Sequence, residues 1–257
     1  MKIIKQIFFF SFLLLLLICC NDTSTEPLQQ NYLDYFPVGI ASSYKYSVTE
    51  KDSNGNIVQS GTRNIFFSGS TIYNGINYTT QTDSLDFESQ SSVSSYLVRK
   101  SETGIFYAVD TSQVSQLIPD TLKQYVTLRN EMQLLFYPLK TGSSWSLYRI
   151  TAEIQSGVEI KILDVISSFD KAEQVDLNLI SGIINVTAQK VKYTLELFSG
   201  IGSPPQTYSA FMWYVEDIGL IKFEGNQFIV NIGEGGISFE PSSNILTQEL
   251  IDYSISE

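Results

Sequence analysis

From Tyr32 to the C-terminus, apolar residues recur mostly at every second position. Lys190-Val191-Lys192-Tyr193-Thr194-Leu195-Glu196-Leu197 alternates without error, with Val, Tyr and two Leu on one face and Lys, Lys, Thr and Glu on the other. That pattern predicts an antiparallel strand with one face buried and one in water. Val158-Glu159-Ile160-Lys161-Ile162 alternates likewise, and Leu163 then breaks the phase as a β-bulge would. Turn dipeptides separate such runs. Asn54-Gly55 follows Tyr44–Thr49, Asn74-Gly75 divides Ile65–Tyr73 from Ile76–Thr80, and Ser156-Gly157 precedes Val158. Asn-Gly favours hairpins because both central turn positions need positive φ. Glu224-Gly225-Asn226-Gln227 reads as a longer hairpin loop. Helical spacing is scarce. One helix is expected from Asp120 to Leu135, with Asp120 as cap after Pro119 and Tyr125, Leu128, Met132 and Leu135 on one face.

A repeat lies above this pattern. Phe36-Pro37-Val38-Gly39-Ile40-Ala41-Ser42-Ser43-Tyr44 aligns without gaps on Tyr137-Pro138-Leu139-Lys140-Thr141-Gly142-Ser143-Ser144-Trp145. A second echo joins Glu102-Thr103-Gly104-Ile105-Phe106 to Asp217-Ile218-Gly219-Leu220-Ile221, displaced by a further 14 residues. Pro ends the preceding segment, the small residue lets backbones approach, and the aromatic side chain plugs the core where a strand opens. The expectation is therefore an all-β body over residues 32–257. Antiparallel meanders should curve strongly into a barrel-like or sandwich shape, with little helix and two duplicated halves, 32–136 and 137–257.

The first 31 residues follow another logic. Lys2 and Lys5 precede an apolar run, Ile7 to Ile18, interrupted only by Ser11, and polar residues resume at Asn21. A run of that length falls short of the roughly 20 residues a spanning helix needs, and reads as a signal peptide. Its end, Leu17-Ile18-Cys19-Cys20, resembles the lipobox of bacterial lipoproteins. The resemblance implies cleavage after residue 19 and acylation of Cys20 with chains such as palmitate. Residues 20–31 then become a lipid-anchored flexible tether, polar and with little to bury. Asn21 leaves delivery to the outer membrane open. The motif aromatic-Pro-Leu-x-x-Gly-x-x-Trp, from which the first copy departs with Ala41 for Gly and Tyr44 for Trp, resembles that of a broad group of bacterial envelope lipoproteins. So does the late Trp213-Tyr214-Val215-Glu216-Asp217-Ile218-Gly219-Leu220-Ile221-Lys222. That group supplies no activity to carry over.

Charge and residue usage narrow the chemistry. Removing the signal takes two lysines and no acid, leaving 14 basic against 27 acidic residues, a formal charge of −13. Such a charge repels phosphate backbones, so no nucleic-acid partner is expected. The chain has no histidine, which removes Ser-His-Asp and Cys-His nucleophiles and the commonest zinc ligand. With Cys20 acylated, no thiol or disulfide remains.

Individual motifs promise little. Asp52-Ser53-Asn54-Gly55-Asn56 begins like a calcium loop, but Ile57 stands where Gly is needed and Arg63 where a bidentate Glu should be. A hairpin turn is the better reading. Gly233-Glu234-Gly235-Gly236 lacks the Lys-Ser/Thr of a phosphate loop, and Gly200 to Pro205 is read as a connection between strands. Asp83, Asp86 and Glu88, and the pair Glu216-Asp217, are read as exposed loop acids rather than a glycosidase pair. Fifteen Tyr and sixteen Phe are assigned mainly to the core, although an aromatic face could hold a ligand. Expected overall is a non-enzymatic, lipid-anchored cell-envelope protein without cofactor or metal, whose sheet surface binds an envelope partner or an apolar or glycan ligand. The alternatives are a half-barrel carrier of lipid, lidded by Asp120–Leu135, and a carboxylate-dependent hydrolase.

Overall fold

Period-two patterning with short turns yields antiparallel neighbours in sequence order, and the chain follows that rule within each of its halves. The computed structural model describes residues 33–88, 90–115, 118–155, 157–198, 204–226 and 244–256. They belong to one compact unit running from Tyr32. The signal peptide, Cys20, the tether and Gly233–Gly236 lie outside the described residues, as does most of the Gly200–Pro205 connection.

Among the described residues twelve strands are formed: β1 Ser43–Lys51, β2 Ile57–Tyr73, β3 Ile76–Phe87, β4 Gln90–Ser101, β5 Gly104–Ala108, β6 Glu131–Phe136, β7 Ser144–Gln155, β8 Val158–Leu179, β9 Gly182–Leu197, β10 Gln206–Val215, β11 Gly219–Asn226 and β12 Ile245–Ser254. Two single-turn helices, α1 Thr111–Ser115 and α2 Asp120–Lys123, connect β5 to β6. The strands form one sheet in the order β6-β5-β4-β3-β2-β1-β12-β11-β10-β9-β8-β7. Each six-strand meander is continuous, and the two join where β1 pairs with β12. The result is an all-β, nearly closed barrel. At its seam β6 and β7 touch through side chains: Trp145 Nε1 donates to the Gln133 carbonyl at 3.1 Å and the Tyr148 hydroxyl to that of Arg129 at 2.8 Å.

Alternation places the core inside the barrel. Along β1, Tyr44, Tyr46, Val48 and Glu50 face inward; along β9, Val191, Tyr193 and Leu195 do. The phase break in β8 is a bulge, because Leu163 pairs with Ile150 whereas Lys161 pairs with Thr151. Both motif copies make the same turn. Ala41 and Gly142 have φ of 73° and 85°. The Ser42 and Ser143 amides donate to the carbonyls of Gly39 and Lys140, and their own carbonyls accept from Phe67 and Phe169. Soon after those phenylalanines, β2 and β8 each bulge and run on into a long hairpin arm.

Two sequence expectations are corrected. Asp120–Leu135 is not a helix: only Asp120–Lys123 is helical, and Glu131–Phe136 is strand β6, paired with β5. Met132 and Leu134 alternate inward there, so ladder pairing and burial override a weak 3.6-residue spacing. Glu224–Asn226 is not a loop either. Gly225 sits within β11, opposite Ala210 on one side and Leu246 on the other.

Candidate functional site

The barrel's interior is the first place to look for chemistry. Phe36 enters from the N-terminal segment, with its ring 6.3 to 6.4 Å from those of Phe67, Tyr107 and Tyr214. Around it lies a pocket of about 30 Å³, lined among others by Tyr44, Tyr46, Tyr107, Tyr214 and Gln81. That is space for about two waters, against the several hundred Å³ of ordinary ligand sites. The phenols are used structurally. Tyr46 donates to the Leu220 carbonyl at 3.0 Å, Tyr44 to Pro37 at 3.1 Å, Tyr107 to Gln81 Oε1 at 2.7 Å and Tyr193 to Leu134 at 3.1 Å. Burial pushes the Tyr46, Tyr107, Tyr193 and Tyr214 hydroxyls above their ordinary value, so none is a phenolate base at neutral pH.

Beyond the tyrosines lies a buried polar layer. Arg63 of β2 donates through Nε to both Asp83 oxygens at 3.0 and 2.9 Å, and through Nη1 to Gln248 Oε1 at 2.8 Å. Glu50 accepts from Gln59 and Asn244. Asp83 is therefore not the exposed loop acid expected from sequence. It is mid-strand and 6 % exposed, while Asp86 and Glu88 are exposed. The signal was available, since Asp83 shares the phase of Gln81 and Phe87, and Arg63 that of Ile65 and Phe67. On the barrel's other side, the fully buried Asp164 is ion-paired with Arg149 at 2.8 Å and Lys161 at 3.4 Å. Each buried carboxylate named here thus already has a polar or cationic neighbour.

The remaining sequence candidates resolve into structural roles. Asp52 Oδ1 accepts from the backbone amides of Asn54 and Asn56 at 2.8 and 2.9 Å, and Oδ2 from the Asn56 side chain at 3.0 Å. These bonds, led by that of the Asn56 side chain, hold the Asp52 carboxyl below its usual range. It is the clasp of the β1–β2 hairpin. Glu216 and Asp217 are exposed in the β10–β11 turn, as read from sequence. The aromatics largely fill the core, also as expected.

Two polar–aromatic clusters pin the hairpin arms to the barrel's outer face. Trp213 of β10 donates through Nε1 to Glu173 on the β8 arm, with Lys190 Nζ 4.8 Å and Lys222 Nζ 5.3 Å from its ring. Opposite, the Tyr78 hydroxyl of the β3 arm donates to Glu131 at 2.6 Å; Arg99 pairs with the same carboxylate and lies 4.2 Å from the Phe106 centroid.

No protein-family model matches this chain, and no curated protein matches it. Among solved structures it is similar to a protein described as a lipoprotein from Parabacteroides distasonis, at 14% identity and a TM-score of 0.48, over 88% of this chain and 100% of that one. An exported protein with YmcC-like fold from Bacteroides fragilis shares 13% identity at a TM-score of 0.44, over 85% and 98% of the two chains. The hypothetical lipoprotein YmcC from Escherichia coli shares 11% at 0.31, over 83% and 88%. These likenesses are too distant to carry a function to this chain.

Proposed function

We propose that the protein is a lipid-anchored, non-enzymatic component of the bacterial cell envelope, attached to the outer membrane through acylated Cys20, that works by offering its outer surface to an envelope partner. The observation that carries this reading is the filled interior. A lipid carrier needs a cavity for acyl chains, and the pocket of about 30 Å³ is roughly a tenth of the smallest ordinary ligand site. Among the buried carboxylates, Glu50 and Asp83 are tied to amide and guanidinium groups and Asp164 is ion-paired with Arg149, which suits structural roles. Binding is then left to the exterior.

The anchor is tested directly. Cys20→Ser should move the protein from the membrane fraction to the soluble one, because several acyl chains at about 0.8 kcal/mol per buried methylene hold it there. Unchanged partitioning would overturn the anchor. Native mass spectrometry of the purified chain tests the rest. No stoichiometric non-covalent lipid is expected, and finding one would favour the carrier.

A further inference from the structure

Three stretches of more than twelve residues in the body of this acidic chain carry no charge: residues 64–82, which hold the β2–β3 turn, residues 177–189, which hold the β8–β9 turn, and residues 197–215, which hold the β9–β10 connection at the other end. The first two are arms of the barrel. At one rim β1 begins at Ser43, paired with Phe66, and β7 begins at Ser144, paired with Ser168. Beyond those rows β2 runs on to Tyr73 and β8 to Leu179. Each arm ends in exposed apolar side chains: Ile72 is 75 % and Ile76 37 % exposed on the first, and Ile180 is 72 % and Ile183 71 % exposed on the second. Ile180 donates its amide to the Ile251 carbonyl at 2.8 Å, three residues before β12 ends at the same rim.

The first described residues lie at this rim too. Asp34 pairs with Lys100, one residue from the end of β4, and its carbonyl accepts from Asp217 in the β10–β11 turn. Only residues 21–32 separate Cys20 from Leu33, which limits their separation to at most about 45 Å. A lipid on Cys20 thus holds this rim close enough to the bilayer for weak apolar contacts to form at high effective concentration.

Resting on the lipid-anchor reading above, we infer that the two arm tips seat in the headgroup region of the bilayer to which the protein is anchored. Isoleucine tips flanked by Asn, Ser, Thr and Tyr suit that interface, with apolar side chains able to enter it and no charge to desolvate. Glu102, Glu216 and Asp217 are exposed at the same rim, so the contact is confined to the tips and favours zwitterionic over anionic lipid. With both tips in the bilayer, the opposite end of the barrel faces partners.

The test uses the full acylated chain, whose mature form has no free thiol. Single substitutions Ile72→Cys and Ile183→Cys at the tips, and Val93→Cys and Val158→Cys at the opposite end, are each labelled with an environment-sensitive fluorophore. The proteins are reconstituted in phosphatidylethanolamine–phosphatidylglycerol vesicles with and without headgroup-proximal nitroxide lipid. Labels at 72 and 183 should shift to the blue and be quenched by the nitroxide, roughly twofold or more for a label buried to interfacial depth. Labels at 93 and 158, equally or comparably exposed in the free protein, should not change. Four equal, unquenched labels on acylated protein would overturn the tip contact and leave the anchor standing. A mature chain with unacylated Cys20 would overturn both.

Discussion

Arg63 carries a full charge at a buried position inside the barrel, and its neighbours decide whether that is tolerable. Burial works against the guanidinium, but Asp83 and its hydrogen bonds more than offset this and hold the group above its ordinary value. Breaking such a pair from one side costs more than the pair contributes, because the surviving charge stays buried. Asp83→Asn should therefore destabilise by about 3–5 kcal/mol, whereas Arg63→Met combined with Asp83→Leu should cost clearly less. Urea unfolding of the two variants measures the difference. A single substitution within about 1 kcal/mol of the parent would show that water reaches the pair.

At the scale of elements, the repeated turn into β1 and β7 offers a matched comparison. Ala41 holds a left-handed backbone that its counterpart Gly142 holds without steric cost. Ala41→Gly should raise stability by up to about 1 kcal/mol, and Gly142→Ala should lower it by about 1–2. Thermal unfolding of both checks the sign; a destabilised Ala41→Gly would mean the turn is not strained. Strands of this kind were legible in advance because half-buried faces write period two into the chain, and the β8 bulge was legible because it breaks that period at Leu163. Gly225 was misread for a related reason. Positive φ at a glycine signals a turn, and Gly225 has a φ of 156°, but it sits within a strand where a Cβ would also lie 2.3 Å from the Ala210 Cα, so close packing between β10 and β11 requires it as well. The false helix at Asp120–Leu135 failed because no local spacing announces the β5 partner that captures Met132 and Leu135. Arg63 lies opposite Leu85 and Asp83 opposite Ile65, so the two are diagonal neighbours on adjacent strands and only the register joins them. The arms' apolar tips were visible as charge-free sequence, but their shared rim follows from strand order alone.

For the whole molecule, the question is whether the barrel is a sealed solid or a container, and alkaline titration separates the two. Tyr46, Tyr107, Tyr193 and Tyr214 are fully buried, and burial first of all raises each phenol above its ordinary value of 10. Below pH 10 these groups are protonated in both folded and unfolded chains, so their contribution is fully present. Above it the unfolded chain ionises while the folded one does not, and stability falls as pH rises towards the folded values. Each group removes about 1.4 kcal/mol per pH unit, so the four together remove about 5–6. Against a typical total of about 5–15 kcal/mol, that unfolds the domain within roughly one to three units above pH 10. The expected outcome is one cooperative transition, in which the phenolate absorbance of the buried tyrosines rises together with the loss of β circular dichroism. A container would behave otherwise. If solvent or ligand could enter between Phe36 and the tyrosines, their phenolates would appear near pH 10 with the sheet intact. That result would reopen the carrier reading that the small pocket argues against.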